Sequence, residues 1–191
     1  MRAFLAFEIP DTIRHNLAVL TKGMGAKTTG VRWVGEEAQH LTLKFFGEID
    51  EEMTKTIKTS LAHIGTTYGS VETTTGAIDT FPNRRRARVI VVTLDKGVDK
   101  IKAIFDDIEN GLSTIGFERE KRGFVPHITL GRRKIPAPFL DRDIPRIEEM
   151  KFVLDKLVLF RSTLTPQGAI YNPVWDIPLE ASRERLTDRS S

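Results

Sequence analysis

The chain reads as an α+β fold of two pseudo-symmetric lobes, mainly antiparallel sheets with outer helices, around a central groove carrying two His-x-Thr motifs. Three observations predict it. A strand-like stretch, Gln39–Phe45, recurs in pattern at Pro126–Arg132. Each copy follows its own stretch of strand, helix and loop. No linker rich in Pro, Gly or Ser divides the 191 residues, so both lobes are expected within one domain, 1–191.

Taken in order, residues 2–9 are an apolar run that reads as a buried strand. Asp11 opens a helix with Ile13, Leu17, Leu20 and Met24 at helical spacing, expected to end at Gly23 and Gly25. Val31–Val34 is a short strand, and the loop 35–37 leads into the first motif strand, which Gly47 closes. Asp50 caps a second helix that carries Met53, Ile57, Leu61 and Ile64 on one face. The Thr-rich run 71–81 is a strand that Pro82 and Asn83 break, and a second strand over 87–94 completes a hairpin. Val98, Ile101, Ile104, Phe105, Ile108, Leu112 and Ile115 mark the longest helix, followed by a charged loop over 117–125.

Beyond the second motif, Pro136 and Pro138 predict loop with a short helix. One strand is expected over 152–164, a turn over 165–168 and a last strand over 169–177. The polar tail 181–191 is expected to fray.

Composition narrows the function classes. With 40% hydrophobic residues the chain buries a core and is not a disordered segment. A net charge of +3 and a pI near 9.2 favour an anionic partner. The absence of cysteine excludes disulfides, a thiol nucleophile and a Cys-ligated zinc. No apolar run approaches the ~18 residues of a membrane span, and the start lacks a cleavage pattern, so a cytoplasmic protein is expected.

The motifs carry the chemistry. In a strand the side chains alternate, so His40 and Thr42 share one face while Leu41 and Leu43 take the other. The same holds for His127 and Thr129 against Ile128 and Leu130. Two histidines at one site can hold opposite protonation states, one accepting a proton and one donating it. Hydrolysis at phosphorus needs that pair, with Thr42 and Thr129 donating to the non-bridging oxygens. A lone His-x-Thr is more often an ordinary surface or core position, and two matched copies reverse that weighing. His15 and His63, on predicted helices without such context, are ordinary polar positions.

Basic residues follow both motifs, Lys44 in the first and Arg132 in the second. The run Arg84–Arg86 with Arg88 reads equally as a solvated turn or as a grip on a polyanion. Phe4, Phe7 and Phe46 are most simply core, but one facing the groove would stack on a base. Arg132, Arg88, Lys44 and Phe7 are the candidate substrate contacts. Two other classes compete: a non-catalytic nucleotide or RNA-binding module on the same groove, and a metal hydrolase using the histidines as ligands. The latter lacks a carboxylate at helix-type spacing beside either histidine.

These residues resemble the 2H phosphoesterase superfamily, specifically the bacterial and archaeal RNA 2′,3′-cyclic phosphodiesterases also called 2′-5′ RNA ligases. The resemblance runs almost end to end. Its carriers are Phe4–Phe7, Val31–Val34, His40–Gly47, Phe81-Pro82 with Arg88-Val89, Pro126–Arg132 and Leu159–Leu164. Phe46 stands where leucine is usual, and Val125 where a basic residue is common. The resemblance implies opening of a 2′,3′-cyclic phosphate at an RNA end to a 2′-phosphate, with no metal and no cofactor. It implies His40 as proton donor to the 3′ oxygen and His127 as acceptor from water. It also implies tRNA half-molecules as partners, joined through a 2′-5′ bond in the reverse reaction. A monomer is the expected state.

Overall fold

The computed structural model describes residues 1–140, 144–166 and 168–180. Nine strands and three helices run in the order β1 (Arg2–Glu8), α1 (Asp11–Gly25), β2 (Val31–Trp33), β3 (His40–Glu48), α2 (Glu51–Thr67), β4 (Val71–Phe81), β5 (Ala87–Leu94), α3 (Val98–Ser113), β6 (His127–Ala137), β7 (Lys151–Leu154), β8 (Lys156–Thr165) and β9 (Gly168–Pro178) among the described residues. They build a four-stranded sheet, β3-β1-β8-β9, and a five-stranded sheet, β2-β6-β5-β4-β7. Every pairing is antiparallel. The expected two α+β lobes are therefore present, each carrying a motif strand beside a central one: β3, at the edge of its sheet, beside β1, and β6 beside β5.

One apolar core joins the lobes. Leu5, Phe7 and Leu41 enter it from the first sheet, Ile90, Val92, Ile128 and Leu130 from the second, all fully buried. Each such side chain contributes roughly 1.5–3 kcal/mol by leaving water. The helices supply Leu17, Ile57, Leu61, Ile104 and Ile108 from the stripes that the spacing predicts. Asp50 Oδ1 accepts from the Met53 amide at 2.7 Å, the expected cap of α2. Ser60 Oγ donates to Gly111 O at 2.9 Å where α2 meets α3.

Three elements differ from expectation. Helix α1 passes through Gly23 and ends at Gly25, because burying Met24 on its apolar stripe outweighs the ~1 kcal/mol that an interior glycine costs. Among the described residues there is no short helix near Pro136 and Pro138; β6 runs on to Ala137, which still pairs with Ala87. The single strand over 152–164 is two strands in different sheets. Asp155 separates them, β7 pairing with β4 and β8 with β1 and β9. A continuous apolar run cannot signal such a change of partner. In the turn at 165–168, Thr165 Oγ1 donates to Gly168 O at 2.7 Å, while Gln167 lies outside the described residues. So does the whole tail 181–191.

Candidate active site

The two motif strands depart from a plain alternation at equivalent points. Thr42 pairs with Ala6 and Lys44 with Leu5, so β3 carries one residue more than β1 there. Thr129 pairs with Val91 and Gly131 with Ile90, so β6 carries one more than β5. Each bulge turns the following side chains by half a period. The residue five beyond each histidine thereby joins the histidine and threonine on the groove side: Phe45 after His40 and Thr42, Arg132 after His127 and Thr129. Gly131 is needed beside the second bulge. A Cβ there would lie 2.6 Å from Val31 Cγ1 and 2.9 Å from Trp33 Cε3, so only glycine lets β2 close over β6.

The groove consists of adjoining hollows. One, of about 670 Å³, holds His127, Thr129, Thr42, Phe45 and Arg132 and is walled by the loop 118–122. The next, of about 380 Å³, holds His40, Phe45, Thr129, Arg132, Arg2 and Tyr171. A third, of about 490 Å³, extends past Arg132 and Tyr171 to Arg32, Trp33 and Leu164. Arg132 borders all three, and Thr129 and Phe45 stand where the two histidine hollows meet.

His40 lies against aromatic rings, with the Phe4 ring centroid at 4.6 Å and the Tyr171 ring edge-on at 5.2 Å. Burial pushes its pKa down to about 4, helped by the Arg132 guanidinium and by His127, and opposed by the Ala38 carbonyl. His127 touches the Phe81 ring edge-on at 5.0 Å. Burial and Arg132 hold its pKa below the usual histidine range, against the hydrogen bond to Val125. His127 Nδ1 donates to Val125 O at 2.7 Å. A carbonyl only accepts, so in the neutral ring Nδ1 carries the hydrogen and Nε2 keeps its lone pair. The symmetry extends to this detail, since each ring bonds the carbonyl two residues before it. The site can thus hold a proton acceptor of fixed tautomer, a second ring that senses the first, two hydroxyls and the Arg132 guanidinium that both hollows share.

The other candidates are dispersed. Phe7 is 0% exposed, within the core, and has no face to offer a base. Alternation puts it on the opposite face of β1 from Phe4, but does not tell which of the two faces meets the groove. Lys44 borders the His127 hollow, but its ammonium lies 2.8 Å from Glu109 Oε1 and donates to Glu118 O at 2.6 Å, so its charge ties β3 to α3 and to the 118–120 loop. Arg88 is exposed on β5 and borders neither histidine hollow. Arg84–Arg86 form an exposed 3-10 turn closed by Asn83 Oδ1, which accepts from the Arg85 and Arg86 amides. His15 and His63 are exposed on α1 and α2 and line none of the three hollows.

Phe45, Tyr171 and Arg2 are groove residues that sequence reasoning missed. For Phe45 a signal existed, its place five residues after His40, matching Arg132 after His127. Among the described residues no three His, Cys, Asp or Glu side chains are grouped to share a metal ion, and no helix is long and apolar enough to cross a membrane.

Comparison with known proteins agrees with this geometry. The family model described as LigT like Phosphoesterase matches the chain twice, over residues 7–91 and 92–171, one match for each motif. The RNA 2′,3′-cyclic phosphodiesterase of Methanocaldococcus jannaschii is 35% identical over 91% of this chain and 98% of its own length. That of Thermotoga maritima is 30% identical over 94% of this chain and 96% of its own. Among solved structures, a Thermus thermophilus protein superposes with a TM-score of 0.82 at 24% identity, covering 95% of this chain and 100% of that one. Escherichia coli LigT complexed with 3′-AMP gives a TM-score of 0.78 at 20% identity, covering 93% and 97%.

Proposed function

Because the chain belongs to the LigT-like phosphoesterase family, we propose that it opens 2′,3′-cyclic phosphates at RNA ends, leaving a 2′-phosphate. The observation that carries this reading is the pair of histidines on matching strands beside one shared guanidinium, Arg132.

In the mechanism, His127 Nε2 takes a proton from water as the water oxygen attacks phosphorus. The bond from phosphorus to O3′ breaks opposite the incoming oxygen, and His40, protonated beforehand, delivers its proton to O3′. Arg132 and the Thr42 and Thr129 hydroxyls hold the non-bridging oxygens, where negative charge accumulates. The free site keeps His40 neutral near pH 7. An arriving phosphate anion favours its protonated form, so the substrate itself loads the acid. With an RNA 5′-hydroxyl in place of water, the same ring opening would make a 2′-5′ bond, its proton passing to His127 while O3′ takes one from His40, and fragments such as tRNA halves would supply that hydroxyl.

The test is product analysis on an RNA ending in a 2′,3′-cyclic phosphate, with EDTA present. A 2′-phosphate product is expected. No turnover by folded protein, together with tight, salt-sensitive binding, would favour the non-catalytic module, and a 3′-phosphate product would reverse the proposed orientation.

A further inference from the structure

We propose that the third hollow receives the nucleotide preceding the RNA end, with Arg32 holding the phosphodiester that joins it to the terminal nucleotide. Two phosphates are then recognised, the cyclic one at Arg132 and its neighbour in the chain at Arg32. The proposal rests on the cyclic-phosphate reading above. Its first support is register. Arg32 on β2 lies directly opposite Arg132 on β6, so the two side chains leave one face of the sheet on strands about 4.8 Å apart. The 5′-phosphate of a nucleotide stands one ribose away from its 2′,3′-cyclic phosphate, a spacing that two long arginine side chains on neighbouring strands span. Arg32 is exposed and borders the third hollow, as Arg132 does.

The second support is direction. The departing O3′ belongs to the terminal ribose, so that ribose lies on the side of the proton donor, His40. The third hollow opens from that side. It shares Val34, Ala38, Arg132 and Tyr171 with the His40 hollow, but among the described residues only Arg132 with the His127 hollow. A chain leaving the terminal ribose through its 5′ oxygen is thereby directed into it. The third support is the lining. Leu164, 68% exposed, and Ala169 give an apolar wall for a nucleoside, while Arg32 supplies the placed polar group. A Cβ on Gly168 would lie 3.2 Å from Arg32 Nη2, so the turn between β8 and β9 closes against this guanidinium and both lobes build the site. Glu36 and Glu37 stand on a 3-10 turn elsewhere on the rim, where like charge turns a phosphate toward the arginines.

The experiment compares wild type and Arg32→Gln on two substrates, adenosine 2′,3′-cyclic phosphate and the dinucleotide uridylyl-3′,5′-adenosine 2′,3′-cyclic phosphate. For wild type we expect kcat/KM on the dinucleotide to exceed that on the mononucleotide about tenfold or more, chiefly through KM, the effect of one charge-assisted hydrogen bond. Arg32→Gln should bring that ratio near one. A merely structural role for Arg32 would lower both substrates together and leave the ratio where it was. An unchanged ratio in Arg32→Gln, or a wild type that treats the two substrates alike, overturns the subsite while leaving the cyclic phosphodiesterase reading intact. Absence of wild-type turnover on both substrates and on RNA ends overturns both. The wild-type ratio needs no variant, so a folding defect in Arg32→Gln, which circular dichroism would reveal, does not conceal the answer.

Discussion

Lys44 Nζ lies 2.8 Å from Glu109 Oε1, and the carboxylate is almost wholly removed from water. The pair joins the first motif strand to α3, and Glu109 Oε2 also accepts from the Glu120 amide at 2.5 Å. It therefore anchors the loop that walls the His127 hollow. Lys44→Met leaves a buried carboxylate without its cation, and we expect a loss of about 3–5 kcal/mol, read from chemical denaturation. Lys44→Met with Glu109→Leu should recover most of it, because replacing both charges removes the unpaired group.

Acid should destabilise the fold through His40. A histidine whose folded pKa is lowered binds fewer protons than the unfolded chain, so its contribution is complete above about pH 6.5 and is lost as pH falls toward about 4. The loss is on the order of 3 kcal/mol. Denaturation midpoints from pH 7 to 4 should show it, and His40→Asn should flatten that dependence.

The pH dependence of turnover follows from the same ring. In free enzyme the form with His40 charged and His127 neutral declines once the pH has passed the pKa values of both rings, each held below the usual histidine range, so kcat/KM is expected to fall toward alkaline pH. The rate at saturation, where the bound anion favours protonated His40, should persist to higher pH. Arg132→Gln removes a cation that disfavours protonation of both rings, so both should titrate at higher pH in histidine NMR spectra.

His40→Asn and His127→Asn should each lower kcat by roughly 10²–10⁴ with the fold retained at pH 7, because each removes one proton transfer. Loss in only one of them would break the acid/base pairing.

Asp50→Ala removes the acceptor for the Met53 amide and should cost about 1 kcal/mol without altering KM.

Much of this was legible in the residues. The paired motif, the capped α2, the stripe of α3 and the strand over 87–94 follow from spacing and local chemistry, and the structure reproduces them. What escaped was whatever depends on partners distant in the chain. A bulge is defined against a neighbouring strand, so strict alternation puts Phe45 on the side of Leu41 and Leu43 and keeps it from standing beside Phe4, Phe7 and Phe46 as an aromatic candidate. Lys44 looked free because nothing near it in sequence announces Glu109. The apolar run over 152–164 concealed a change of sheet at Asp155, since apolar character marks burial without naming the neighbour.

That change of sheet bears on how the molecule comes into being on the ribosome. β1 is made ahead of the other strands described, yet one of its two flanking partners is β8, made after β2–β7, so the sheet carrying His40 stays incomplete until β8 emerges. The nascent chain must keep an apolar strand edge from pairing wrongly until that late hairpin emerges, and a message truncated before residue 156 would encode a product with a lasting open edge, prone to aggregate.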